Sequence, residues 1–154
     1  MSSVRVFDRP ADVLAAVGEE VGPGEWVELT QDRVDTFADA TGDHQWIHVD
    51  AERAAQGPFG TTIAHGYLTL SLVIPLFGEL LAVRGTRMGI NYGLEKVRFP
   101  NPVKVGSRIR LGARVVTVDE VPGDGVQMTL DFVVEIEGED KPACVARPVY
   151  RHYA

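Results

Sequence analysis

The run Gly66-Tyr67-Leu68-Thr69-Leu70-Ser71-Leu72-Val73-Ile74-Pro75-Leu76-Phe77-Gly78-Glu79-Leu80-Leu81-Ala82-Val83 decides the fold. From Tyr67 it extends about 17 residues, roughly 26 Å as a helix. A bilayer-spanning helix wants about 20 apolar residues, and this run also contains Ser71, Pro75, Gly78 and Glu79. It reads as a helix from Gly66 to about Val83 buried inside protein, with no membrane partner. Its apolar residues lie on almost every side, so the expectation is burial all round and not along one stripe. Pro75 removes one intrahelical bond and predicts a bend near Ser71.

Something must surround that helix, and the sequence after Arg84-Gly85 supplies it. Gly89 to Phe99, Ser107 to Val121, Val126 to Glu137 and Ala143 to Tyr150 are rich in β-forming residues. Pro100-Asn101-Pro102, Pro122-Gly123-Asp124-Gly125 and Gly138-Glu139-Asp140 separate them. Such closely spaced turns imply antiparallel neighbours. Val126-Gln127-Met128-Thr129-Leu130-Asp131-Phe132 alternates, which gives that sheet one wet face.

Helices come first. Pro10 to Val17 has helical spacing with Gly18 as its stop. Glu25 to Leu29 alternates like a short strand. Thr30 is placed to cap a helix over Gln31 to Ala40, and Gly42 to end it. Asp43 to Val49 then links to a short helix, Ala51 to Gln56, capped by Asp50. Helices first and strands later give an α+β chain, and the simplest packing wraps a long antiparallel sheet around the apolar helix. No repeat or linker divides residues 1–154, which read as a single domain.

Composition narrows the function classes. The net charge of -7 argues against nucleic-acid binding, which needs a basic face. A small anionic ligand is still compatible, because Arg84, Arg87, Lys96, Arg98, Lys104 and Arg108 form a local basic interval. That interval reads either as a solvated rim or as a dock for an anionic nucleotide such as coenzyme A. Cys144 is the only cysteine, and the start Met1-Ser2-Ser3-Val4-Arg5 has no apolar segment of the secretory kind. A reducing, cytoplasmic location is expected.

Chemistry concentrates in Asp43-His44-Gln45-Trp46-Ile47-His48 and in His65-Gly66. Asp43 and His48 would lie about 140° apart on a continuous helix, but can converge in a loop. A carboxylate beside an imidazole can take a proton from water and return one to carbon. The bland reading makes Asp43 a turn cap and His48 a packed histidine, and spacing alone does not exclude it. Gly66 opens the apolar helix, where free N–H groups and the helix dipole favour a developing negative charge. It could equally serve close packing. Among His44, His48, Asp50 and His65, His44 and His48 are four residues apart, but the stretch Asp43 to Val49 reads as a link and not as the continuous helix of a helical metal site, so no metal is expected.

Ala40-Thr41-Gly42-Asp43-His44-Gln45-Trp46-Ile47-His48-Val49-Asp50, followed by Ala54 and by Ile63-Ala64-His65-Gly66, resembles the MaoC-like (R)-specific enoyl-CoA hydratase family, including its NodN-like branch. Arg98-Phe99-Pro100 and Pro102-Val103 to Gly106 resemble the family's later strand and turn. The resemblance implies a hotdog fold, a homodimer, and reversible hydration of trans-2-enoyl-CoA to (R)-3-hydroxyacyl-CoA. It makes Asp43 and His48 the catalytic pair and the Gly66 amide the binder of the thioester carbonyl. No cofactor is implied beyond the coenzyme A of the substrate. Two departures stand out. Gln45-Trp46 replaces the family's Asn-Pro, and Ile74 stands where some members carry a serine, with Ser71 the nearest hydroxyl. A hotdog acyl-CoA thioesterase and a non-catalytic acyl-CoA-binding or assembly subunit are the competing readings.

Overall fold

A computed structural model describes residues 3–154. Its elements in order are β1 (Arg5–Phe7), a 3-10 helical segment (Pro10–Ala16), β2 (Glu20–Val21), β3 (Val27–Glu28), α1 (Gln31–Thr41), α2 (Trp46–Val49), α3 (Ala51–Ala55) and α4 (Gly66–Gly78). Then come β4 (Leu81–Val83), β5 (Met88–Arg98), β6 (Arg108–Val121), β7 (Gly125–Ile136) and β8 (Cys144–Tyr153). The helical elements thus precede the long strands, as an α+β chain requires.

The main sheet has the order β2-β6-β7-β8-β5, with β3 also paired to β6. Its pairings are antiparallel. The alternation in β7 does what its period demands. Val126, Met128, Leu130, Phe132, Val134 and Ile136 are buried, while Gln127, Asp131, Val133 and Glu135 face outward. The outer face is polar and internally paired. Arg147 holds Asp131 at 2.8 Å, and Arg151 reaches Gln127 at 3.0 Å. The inner face carries the core. Phe77 of α4 meets Phe132 at 5.0 Å and Tyr150 at 5.7 Å between ring centroids, within the range for favourable tilted aromatic pairs.

Local signals upstream act as read. The Thr30 hydroxyl accepts from Arg33 N, and Asp50 accepts from Arg53 N at 3.1 Å. Gly42 closes α1 at φ 81, a left-handed cap whose N–H donates to the Ala38 carbonyl.

Five expectations are corrected. The apolar helix ends at Gly78 and does not continue to Val83. Leu81–Val83 is extended instead and pairs in parallel with Arg5–Phe7. A three-residue apolar stretch can serve either conformation, and here the partner strand is about 75 residues away in sequence. Nor is α4 buried on every side. Leu68, Thr69, Val73 and Phe77 are buried, whereas Tyr67 and Ile74 are 72% and 43% exposed. The link Asp43 to Val49 contains a helical turn, α2, so His48 sits on that turn and not in open loop. The strand read over Glu25 to Leu29 shrinks to Val27–Glu28, and the last strand runs on to Tyr153. Among the described residues, no helix is long and apolar enough to cross a membrane.

Candidate active site

Three short elements meet at the N-terminal end of α4. The α1 cap at Gly42 turns the chain so that Asp43 follows at once, and α2 then carries His48. The segment Thr62–His65 runs back past both. The Ile63 N–H donates to the Ile47 carbonyl at 2.9 Å. His48 returns the contact through its side chain, with Nδ1–H donating to the Ile63 carbonyl at 2.7 Å. A histidine that donates from Nδ1 to a carbonyl keeps its lone pair on Nε2. The ring is buried, 6% exposed.

The structure brings Asp43, His48 and His65 together, each offering one nitrogen or carboxylate oxygen within 4.8 Å of the other two. His65 carries more of this arrangement than its sequence context suggests. Its ring stacks on His48 at 3.9 Å between centroids and 22° between planes. Its Nε2–H donates to the backbone carbonyl of Asp43 at 2.9 Å, and Phe37 packs against it at 4.8 Å. One buried side chain therefore touches both members of the Asp43/His48 pair. Its sequence cues are its place beside Gly66 and its inclusion among the residues weighed as metal ligands. The remaining polar atom, Nδ1, is buried without a partner. The two rings are nearly parallel, and each donates from one nitrogen to a backbone carbonyl.

His48 is pushed below the ordinary imidazole range by burial above all. The Ile63 carbonyl and the Asp43 charge oppose that shift, and His65 adds to it. His44, which neighbours Asp43 in sequence, points elsewhere. Its Nε2 lies 2.9 Å from Asp39 Oδ1 in solvent, and that bond raises it. Asp50 is a helix cap and not part of the cluster. Burial raises the Cys144 thiol to about 11, so it is no nucleophile.

His48 and Gly66 line one cavity of about 300 Å³, together with Phe59, Thr69, Phe99 and Val103. Helix geometry leaves the first N–H groups of α4 without intrahelical acceptors. Gly66 answers a packing demand at the same time. A Cβ there would stand 3.1 Å from the Phe99 ring. Trp46, one of the two departures from the resembling motif, packs against Gly57 and under the Arg53 guanidinium at 4.4 Å, which supports the α2–α3 corner. Ile74 lies away from the cluster, on the exposed side of α4.

Of the basic interval, Arg84 pairs with Asp8, Arg108 with Glu137, and Arg87 with the Ala154 carbonyl. Among the described residues, Lys96, Arg98 and Lys104 have no ion-pair partner. Arg98 and Lys104 adjoin the cavity residues Phe99 and Val103.

His44 and His48 should titrate on opposite sides of the usual value of about 6.5. By NMR, His48 is expected below it and His44 above it. For His48 the folded state binds fewer protons than the unfolded one between the two values. Its contribution to stability is therefore present above about 6.5 and lost as pH falls through the lowered folded value. His44 works the other way, weakly, because it is exposed. A His48 midpoint at or above His44's would contradict this geometry.

Residues 12–136 match the family described as MaoC like domain. The chain is 55% identical over 151 residues to 3-hydroxyacyl-thioester dehydratase Z of Mycobacterium tuberculosis, covering 98% of this chain and 100% of that protein. It is 49% identical over 139 residues to nodulation protein N of Rhizobium leguminosarum bv. viciae, covering 88% and 86%. Among solved structures, the R-hydratase PhaJ1 of Pseudomonas aeruginosa superposes with a TM-score of 0.68 at 25% identity, over 89% of this chain and 81% of that one. Family match, relatives and wrapped antiparallel sheet agree: the chain belongs to the MaoC-like dehydratase family, NodN-like branch, and has the hotdog fold.

Proposed function

We propose that this protein reversibly adds water across a trans-2-enoyl-CoA to give the (R)-3-hydroxyacyl-CoA, with Asp43 and His48 as the acid–base pair. The observation that carries this reading is the convergence of the Asp43 carboxylate and the His48 imidazole beside a cavity that Gly66 also lines. The name of the mycobacterial relative gives the same reaction class, read in the direction of water loss.

Conjugation in the enoyl thioester spreads charge from C3 to the carbonyl oxygen. The Gly66 N–H at the positive end of α4 favours the enolate-like state in which that oxygen carries negative charge. His48, held with Nδ1 on Ile63, offers the Nε2 lone pair to a water shared with Asp43. One member of the pair takes a proton as the water oxygen bonds to C3. The C2–C3 π pair moves to C2 and collects a proton there, so one water enters and no other group leaves. This chemistry requires neither metal nor redox cofactor. Coenzyme A enters only as part of the substrate, and unpaired Lys96, Arg98 and Lys104 suit its phosphates.

The expected result with purified protein is loss of the conjugated-thioester absorbance of enoyl-CoA substrates with no free thiol. Chiral analysis should return the (R) alcohol, and EDTA should leave the rate unchanged. Thiol release without loss of the enoyl group would favour the thioesterase reading. Binding with no turnover would favour the non-catalytic one. An (S) product or metal-restored activity would overturn the corresponding detail.

The same reading includes a homodimer. β5 is an edge strand of 11 residues and is exposed almost throughout, with Tyr92 and Leu94 at 58% and 47%. It adjoins the exposed side of α4, and Leu70, Ile74 and Leu94 line a shared groove. An open edge beside apolar surface invites a second copy. Light scattering at micromolar concentration should return twice the mass of 16.8 kDa. A monomer there would refute it.

A further inference from the structure

Gln31, the first residue of α1, reaches across to α2. Its Nε2 donates to the His48 carbonyl at 2.8 Å and to Asp35 Oδ1 at 2.9 Å. Its Oε1 accepts from the Thr62 hydroxyl at 2.7 Å. Only one amide orientation satisfies these partners, because a flipped amide would set its oxygen against two acceptors. Thr62 is 3% exposed, so its hydroxyl has no easy recourse to water. The residue after Thr62 is Ile63, whose carbonyl takes the His48 Nδ1–H. The bonds therefore close a ring running from the His48 imidazole to Ile63, through Thr62 to Gln31, and back to the His48 carbonyl. A rotation of the α2 turn breaks the contact at both ends of this residue. A one-turn helix has little stability of its own to resist such rotation.

We propose that Gln31 and Thr62 are positioning residues, a side-chain clamp that fixes the α2 backbone and thereby sets where His48 Nε2 lies. The proposal rests on the reading of His48 as an acid–base group. Neither residue needs to touch substrate. The clamp acts on the reaction only through the direction of one imidazole, and displacements of about 1 Å in such a group can lower turnover by about 10²-fold.

The test compares Gln31→Met, which keeps length and removes the bonds, with Thr62→Val, which keeps shape and removes the hydroxyl. Each should lower kcat by about 10- to 100-fold with KM little changed. The double variant should lose little beyond the worse single one, because both break the same ring. Nitrogen-15 NMR of His48 reads the clamp without turnover. Wild type should give the single Nδ1–H tautomer, and the variants a mixed or broadened signal. An unchanged spectrum overturns the clamp, even where the melting temperature falls. An altered spectrum with unchanged kcat overturns its part in the reaction and, with it, the role given to His48. A wild type that turns over no enoyl-CoA fails the functional reading alone, and the spectra still decide the clamp. If Gln31→Met does not fold, Thr62→Val makes the same comparison.

Discussion

The buried bond from His48 Nδ1–H to the Ile63 carbonyl, 2.7 Å long, is the contact on which the rest of the site depends. It ties a one-turn helix to the strap that leads into α4. It also selects the ring tautomer, so that the free lone pair is on Nε2. Without it His48 would be a buried imidazole with a rotatable ring, and the direction of Nε2 would be undefined. The neighbouring contacts all lean on the same segment. The Ile63 N–H holds the Ile47 carbonyl, Thr62 reaches Gln31, and His65 stacks on the same ring while holding the Asp43 backbone. A hydrogen bond of this kind gains strength from its dry surroundings, and leaving either partner unpaired there would cost about 1–3 kcal/mol.

The sheet gives that segment something rigid to stand on. Inward residues of β7 and β8 meet Phe77 and anchor the C-terminal end of α4, and the Phe99 ring packs against Gly66 at its first turn. Phe99, just past β5, closes over Gly66 so tightly that a Cβ there would have to push the ring back by a few tenths of an ångström. The cavity wall is thus made partly by what the sequence omits. The exposed side of α4 and the bare edge of β5 share a groove, whereas the outer face of β7 and β8 is polar and internally paired. This asymmetry motivates the proposed dimer.

Features governed by local chemistry were legible in the sequence. Thr30 and Asp50 cap because a short oxygen-bearing side chain suits an orphan N–H, and Gly42 ends α1 because its backbone is left-handed. The period of β7 could be read residue by residue. The pair Asp43 and His48 was visible as two titratable groups around a turn, and the structure brings them together beside Gly66. The parts that could not be read depend on distant partners. Leu81–Val83 becomes a strand only because Arg5–Phe7 lies alongside. The exposed stripe of α4 depends on which neighbours the chain provides. Periodicity reports how apolar a helix is, not whether a second molecule covers it. His65 looked like a neighbour of Gly66, and its contacts with both members of the pair come from long-range packing that no spacing encodes.

The most direct measurement is the turnover of Asp43→Asn, His48→Gln and the double variant on an enoyl-CoA, with acyl-CoA affinity and melting temperature recorded alongside. Each single change preserves size, so folding and binding should persist. If the two groups act as one acid–base unit, kcat falls by about 10²–10⁴ in each single variant. The double variant then loses little more than the worse of the two. A lowered melting temperature with kcat per folded molecule near wild type would contradict the account and leave Asp43 and His48 as structural residues.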